Sequence, residues 1–324
     1  MKNHYSAPTI AELLVEHNET CHQPSQPPRG EIFTFISPLP NSGVYNPTAP
    51  FEYGGKLYSV ARVDKPGSEE AVTQFFSPNG IPNEWHHDPN MPTLRWQDPF
   101  RTSIGSVLYF GGVRTREGRR TRQISGWDTG VWKVQDPVEL HEHKPPDIIG
   151  PRGMKGIRPL GVDGELAGLF TRPIDERYPR GKVGYLAVKK SIVRITADDL
   201  AKAPVIEGFI ADKAGEWGGV GEAHDLGGSE ILASMHLARY ELDGVSKEYF
   251  GGLMSLKRRG DKVKVVAQKI VACRQCFPKT PAKSPKLEKI FYQTGMSIKS
   301  EKIEVWGGVS DFTVGSLAVG AAWS

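Results

Sequence analysis

The sequence predicts an all-β chain folded as a five-bladed β-propeller behind a short N-terminal helix. Three observations predict it. Convincing helical periodicity is confined to the start of the chain. Elsewhere, short runs of β-branched and aromatic residues are bounded by Gly, Asn, Asp and Pro, and 36 Gly with 25 Pro mark many tight turns. One pattern also recurs five times: a polar motif, a Gly-containing turn, then a strand of small and apolar residues.

The helix comes first. Thr9 caps a segment from Ile10 to His17, Glu12 stands at the capping-box position, and Ile10, Leu13 and Leu14 share a face. The linker QPSQPPRG follows, so residues 1–30 read as helix and linker and 31–324 as one propeller domain. The run EIFTFI (Glu31 to Ile36) is placed to complete the last blade and close the ring.

The five units begin at Tyr45 (YNPTAPFEYGGKLYSVARV), Trp96 (WQDPFRTSIGSVLYFGGVRT), Gly156 (GIRPLGVDGELAGLFTRP), Gly221 (GEAHDLGGSEILASMHLAR) and Ser310 (SDFTVGSLAVGAA). They stand about 50–90 residues apart, at or above the usual spacing of propeller blades. VGYLAVKKSIVRI, EYFGGLMSLKRR and VKVVAQKIVA read as outer strands, and a short helix opened by Thr196 or Asp198 is expected near Asp198 to Ala203. A pair of β-sandwiches is the alternative, and it does not predict five similar units. Trp-Gly-Gly-Val occurs at both Trp217 and Trp306, with an acid two residues beyond each copy, Glu222 and Asp311. It reads as punctuation of two equivalent blades, the Trp packing between blades and the glycines turning the chain toward the channel.

Composition excludes several functions. A net charge of +4 is too small to argue for nucleic acid, although a mildly basic cleft for an anionic substrate is compatible with it. No apolar run suits a signal peptide or a membrane span, so a soluble cytoplasmic protein with no membrane partner is expected. Cys21, Cys273 and Cys276 do not make a disulfide framework. Cys273-Arg-Gln-Cys276 lacks further ligands at metal spacing, so these read as structural or surface thiols with no metal. His86-His87 and His141-Glu142-His143 read as surface, RTREGRRTR (from Arg114) as a solvated hairpin, and nothing calls for a cofactor.

In a propeller the first strand of each blade lines the central channel, so the heads of the five units converge. They supply Asn46, Asp98, Arg158, Glu222 with His224, and Asp311, a polar ring suited to a small polar ligand. Asp98, in Trp96-Gln97-Asp98-Pro99-Phe100-Arg101, reads either as a functional acid or as a turn starter. Trp96 beside it is expected to pack on a sugar ring and raise the acid's pKa. Glycoside hydrolysis needs two carboxyls, yet the first unit carries Asn46. Either Glu222 or Asp311 compensates, or the attacking group is already an anion such as phosphate. Arg62, Arg101, Arg152, Lys155, Arg158 and Arg172 lie in or beside the unit heads, guanidinium forks match phosphate, and His224 adds a donor.

The order YNPTAPF, RWQDPF, GIRP, EWGGVGEAHDLG resembles the domain of unknown function 1861 family, tied to glycosyltransferase family 108 and related to the five-bladed glycoside hydrolase family 130 mannoside phosphorylases. The resemblance runs from about Tyr45 to Val319. It implies inverting chemistry on β-mannosides, in which one Asp acts through a sugar hydroxyl and phosphate attacks the anomeric carbon. Run backwards, the reaction extends a mannan from mannose 1-phosphate, and some relatives in family 108 also use GDP-mannose. Asp98 matches the catalytic position. Arg158, Arg172 and His224 match the phosphate set, with Arg152 and Lys155 beside them. Asn46, Arg62, Trp96, Gln97, Arg101, Glu222 and Asp311 are left to the sugar. Gln97 stands where many members of family 130 have Glu. A two-acid hydrolase and a non-catalytic carbohydrate-binding propeller remain the competing expectations.

Overall fold

The structure is a computed structural model describing residues 7–20, 29–64, 70–117, 124–176, 178–189, 194–210, 213–299 and 302–320. Helix α1 (Ile10–Thr20) begins as expected: the Thr9 hydroxyl accepts from the Glu12 amide and the Glu12 carboxylate accepts from the Thr9 amide. Ile10 and Leu13 are buried, and Leu14 packs beside them. No described helix is long and apolar enough to cross a membrane.

The rest is mostly antiparallel sheet. Strands β1 (Glu31–Ile36), β2 (Gly43–Tyr45), β3 (Phe51–Tyr53), β4 (Lys56–Asp64), β5 (Ala71–Pro78) and β6 (Glu84–His87) open the chain. A second sheet holds β7 (Gln97–Ile104), β8 (Val107–Glu117), β9 (Ile124–Val134) and β10 (Ile148–Ile149). A third holds β11 (Arg158–Val162), β12 (Glu165–Thr171) and β13 (Gly184–Ala187). Helix α2 (Ala197–Ala201), capped by Thr196, leads to β14 (Glu216–Gly227), β15 (Glu230–Tyr240), β16 (Lys247–Arg259) and β17 (Lys262–Ala272). The chain ends in β18 (Phe291–Lys299), β19 (Lys302–Val309) and β20 (Thr313–Gly320).

The last strands join the first. The order β18-β19-β20-β1-β6-β5-β4-β2 makes one nine-stranded sheet, with β3 paired on β4. EIFTFI does complete the last group of strands: β1 runs antiparallel to β20 and parallel to β6. Phe33, Phe35, Phe76, Trp85 and Trp306 fill the core beneath that seam.

Strands β7, β11, β14 and β18, each first in its sheet, lie against one another and bring their residues to a common centre. This corrects the fifth unit. Ser310–Asp311 is the turn before β20, third in its group, and the first strand is β18. The two Trp-Gly-Gly-Val copies are therefore not equivalent, because Trp217 lies on a first strand and Trp306 on a second. Their glycines also do not turn the chain: none has a positive φ, and all four lie within strands.

They permit close approach instead. A Cβ at Gly219 would sit 2.7 Å from His236 Cε1, and one at Gly308 would overlap Asn46 Oδ1. In each copy the second glycine makes room for a polar side chain, His236 from β15 in the first and Asn46 from the segment after β2 in the second.

Other expectations resolve simply. Asp136 caps the 3-10 turn Pro137–Glu139, and Asp88 accepts from Tyr58 and Asn90 in a turn of its own. Of the basic hairpin, Arg114 binds Asp128, and residues 118–123 lie outside the described residues. His141 and His143 are exposed, while His86 and His87 are half-buried. Cys273 and Cys276 are buried, which rules out the surface reading, and Cys21 lies outside the described residues.

Candidate active site

Three of the four first strands, β7, β14 and β18, are irregular where they meet the centre. Gln97 to Phe100 spans three residues where its partner, Val113 to Gly111, spans two. Val220 to Ala223 likewise spans three against the two from Met235 to Ala233, and Gln293 to Gly295 spans two against one from Gly307 to Trp306. Such bulges break the in–out alternation and re-aim a side chain. They fall at Asp98, at Gly221–Glu222 and at Thr294. In the first sheet the chain breaks between β2 and β3, at Asn46. Asn46 and Asp98 both take left-handed backbone, with φ of 52° and 49°, which short polar residues tolerate best.

Asp98 is 8% exposed. Its Oδ1 accepts from Asn46 Nδ2 at 2.8 Å and from Arg62 Nη1 at 3.3 Å, and Lys155 Nζ is 3.8 Å from Oδ2. Burial alone would raise the carboxyl's pKa. Arg62, Lys155 and the Asn46 hydrogen bond outweigh it and hold Asp98 down at about 2. The expected upward shift is thus reversed, because cations and donors surround the group. Trp96 does not face a sugar site either. It is buried, stacked on Trp132 at 3.8 Å between ring centroids, within the core of the first two sheets.

Arg62 is fixed by a second layer that the sequence reading missed. Its Nη2 donates to Asp64 at 2.9 Å, and Asp64 also accepts from Tyr45 and from Lys283 at 2.8 Å. The spacing Arg62–Asp64 puts both on one face of β4. Asp311 borders this group. Burial raises its carboxyl to about 6, with Asp98 and Asp64 adding to the shift and Arg62 and Lys283 opposing it.

A second cluster adjoins the first. Arg158, buried at the head of β11, donates to Gly221 O at 2.7 Å and lies 4.1 Å over the Phe100 ring. Arg172, His236, Tyr249 and Tyr292 share its surroundings. Burial, then Arg172 and Arg158, drive the His236 pKa well below its ordinary value, so the ring is neutral. Burial raises Tyr292, reinforced by Asp98 and opposed by Arg158. The rings of His236 and Tyr292 stand 4.6 Å apart. Asn46 Oδ1, Arg172 Nε and His236 Nδ1 are buried without a protein hydrogen-bond partner.

His236, Tyr249 and Tyr292 were not picked out from the sequence. His236 sits mid-strand in an apolar run, and only the paired glycine opposite it marks the gap through which it reaches the centre.

The remaining candidates divide. Glu222 accepts from Met296 N at 3.0 Å and lies 3.4 Å from His224, whose pKa it raises against the effect of burial. Glu222 and His224 line a groove of about 330 Å³ with Arg101, Ser103 and Asp163, a step along the strands from Arg158. His224 therefore joins Glu222 and Arg101 rather than the Arg158–Arg172 cluster. Gln97 is buried beside Asp98. Arg152 is exposed and packs against Gly126, away from the buried cluster. A larger cavity of about 570 Å³, lined by Val205, Arg259 and Lys264 among others, holds none of these groups.

A search of curated protein sequences gave no match. Among solved structures, the chain is similar to MPT-4, a mannose phosphorylase from Leishmania mexicana in complex with phosphate ion, with 23% identity, 96% of this chain and 92% of that one covered, and a TM-score of 0.80. MPT-1, a GDP-Man-dependent mannosyltransferase from the same organism, aligns with 23% identity over 96% of this chain and 94% of that one, also with a TM-score of 0.80. The β-1,2-mannobiose phosphorylase from Listeria innocua shares 13% identity over 93% of each chain, with a TM-score of 0.58. These likenesses show a shared fold. A family model described as protein of unknown function (DUF1861) matches residues 29–323, and the chain belongs to that family.

Proposed function

We propose that the chain is an inverting β-mannoside phosphorylase or mannosyltransferase, built as a five-bladed β-propeller over residues 31–324, with Asp98 as its single acid/base. One observation carries the reading: the buried Asp98 carboxylate, held by Asn46 and Arg62, adjoins the Arg158–Arg172 cluster, where Arg172 Nε and His236 Nδ1 are buried without a protein hydrogen-bond partner. Dividing the nine-stranded sheet at its parallel β1–β6 join supports a count of five blades. The relatives add support: one is described as a mannose phosphorylase holding phosphate, another as a GDP-Man-dependent mannosyltransferase.

In phosphorolysis, phosphate seated on Arg158, Arg172 and neutral His236 attacks the anomeric carbon as the glycosidic bond breaks. The leaving oxygen takes a proton that Asp98 delivers through a sugar hydroxyl, and α-mannose 1-phosphate is the product. In synthesis the acceptor hydroxyl attacks C1, its proton passes to Asp98, and phosphate leaves. Asp98 rests ionised at a pKa of about 2, which suits the synthetic direction. For phosphorolysis, an incoming anion and a sugar that excludes water both raise that pKa. Asn46 and Arg62 hold the carboxylate in place.

The test is to incubate the protein with mannose 1-phosphate and mannose or β-mannobiose and measure phosphate release. No release of phosphate from a panel of sugar 1-phosphates, nor of GDP from GDP-mannose, with any acceptor would sink the proposal. One observation favours a second reading, a two-acid hydrolase: Asp311 is raised to about 6 while Asp98 is lowered to about 2. That reading predicts cleavage of aryl β-mannosides without phosphate, abolished by Asp98→Asn or Asp311→Asn alike. Phosphorolysis that survives Asp311→Asn excludes it.

A further inference from the structure

His17, Cys273 and Cys276, far apart in sequence, meet in the interior. His17 lies on the buried face of α1 at 1% exposure, seven residues after Ile10 and four after Leu13, so the stripe that docks the helix ends in an imidazole. Cys273 caps the 3-10 turn Arg274–Cys276 that follows β17, and Cys276 ends it. The ligand atoms of all three lie within 4.8 Å of one another, and all three residues are buried.

The geometry is specific. Cys273 Sγ and Cys276 Sγ are 3.5 Å apart, and Cys276 Sγ is 3.8 Å from His17 Nε2. A tetrahedral zinc with Zn–S of about 2.3 Å and Zn–N of about 2.0 Å has S···S and S···N edges of about 3.8 and 3.5 Å. The other imidazole nitrogen is already engaged: Nδ1 lies 3.1 Å from the carbonyl oxygen of Ile270. Donation from Nδ1–H to that carbonyl fixes the tautomer and leaves the Nε2 lone pair facing the sulfurs. This is the outer-shell bond that metal-ligating histidines ordinarily make.

We propose that His17, Cys273 and Cys276 bind one zinc ion that clamps α1 onto the β15–β17 face. Two thiolates and an imidazole favour zinc over magnesium or calcium, which take oxygen ligands. On binding, each thiol loses its proton to solvent and its sulfur lone pair goes to the metal, with no change of oxidation state. A water completes the tetrahedron. The family match begins at residue 29, after α1, so the helix that brings the imidazole lies outside the matched segment. The clamp is independent of the catalytic reading.

The untagged, reduced full chain should purify with about one zinc per molecule by plasma mass spectrometry. After chelation it should take up cobalt(II) with the thiolate charge-transfer and tetrahedral d–d absorption of a Cys-ligated site. Cys276→Ser and His17→Ala should each weaken metal binding more than about 100-fold, beyond the loss typical of outer-shell changes. Chelation should also lower the melting temperature of the parent chain and leave that of Cys276→Ser unmoved. A reduced parent chain that binds neither zinc nor cobalt overturns the proposal. So does a purified chain whose Cys273 and Cys276 are joined by a disulfide and which carries no metal. The cobalt spectrum is read on the parent chain, so the proposal stands or falls even if a variant fails to fold.

Discussion

Asp98 and Asp311 are two carboxyls a short way apart whose environments push them in opposite directions. Asp98→Asn keeps the shape and the left-handed backbone, at a φ of 49° that asparagine tolerates, and removes only the proton site. It should lower kcat by about 10²–10⁴-fold, as loss of a general acid/base does, with little change in KM for phosphate. An unchanged kcat would move the chemistry elsewhere. The stability effects have opposite signs. The depressed pKa of Asp98 stabilises the fold above its unfolded pKa, and that contribution is lost as pH falls toward about 2. Asp311 is raised to about 6, so its contribution is present below about 4 and is lost as pH rises through about 6. Asp311→Asn should therefore be more stable than the parent above pH 6, by on the order of 3 kcal/mol at most, and equal to it at low pH. Melting curves across that range check it, and a variant less stable at neutral pH refutes it.

At the scale of the element, the informative units are glycines inside strands. Neither Gly219 nor Gly308 has a φ that excludes alanine, so the cost of a methyl group lies in what it touches. Gly219→Ala pushes against the His236 ring and should raise KM for phosphate by about 10-fold, while overpacking lowers stability by about 1–3 kcal/mol. Gly308→Ala displaces Asn46 from Asp98 and should lower kcat instead. Steady-state kinetics separate the two, and identical effects would show a general loss of packing. These glycines also explain what the sequence disclosed. Asn46, Asp98 and Arg158 were legible because each belongs to the polar motif that opens a repeated unit. His236 was hidden because a mid-strand histidine looks like any core residue until the facing glycine is known. The Trp-Gly-Gly-Val repeat misled for the same reason. It marks a place where backbone and side chain approach closely, and that need arises on a first strand at Gly219 and on a second at Gly308. Reading the repeat as a phase marker displaced the fifth unit by two strands and put Asp311 where Tyr292 and Gln293 belong.

For the molecule as a whole, one six-residue strand decides whether the sheets hold together. Strand β1 carries the register from β20 across to β6, pairing Phe33 with Val314 and Phe35 with Trp85. Phe33 and Phe35 point to the same face, as alternate residues of a strand must. Phe33 packs on Trp306 at 4.8 Å between centroids, and Phe35 stacks on Trp85 at 5.3 Å. The two ends of the chain thus share one core, and closing them joins residues separated by most of its length. Contacts of that range bear a large loop-closure entropy and form late, so the seam is also where opening should begin. Phe35→Ala removes the ring on the β6 side and should cost about 3–5 kcal/mol. If β1 is a true stitch, the damage cannot stay on that side. Amide hydrogen exchange should then show β6 and β20 losing protection together, although the deleted ring stacks on Trp85 of the first. Loss confined to β6 would mean that β1 remains with β20 as an independent edge, and that the sheets are held by their facing first strands and not by the seam.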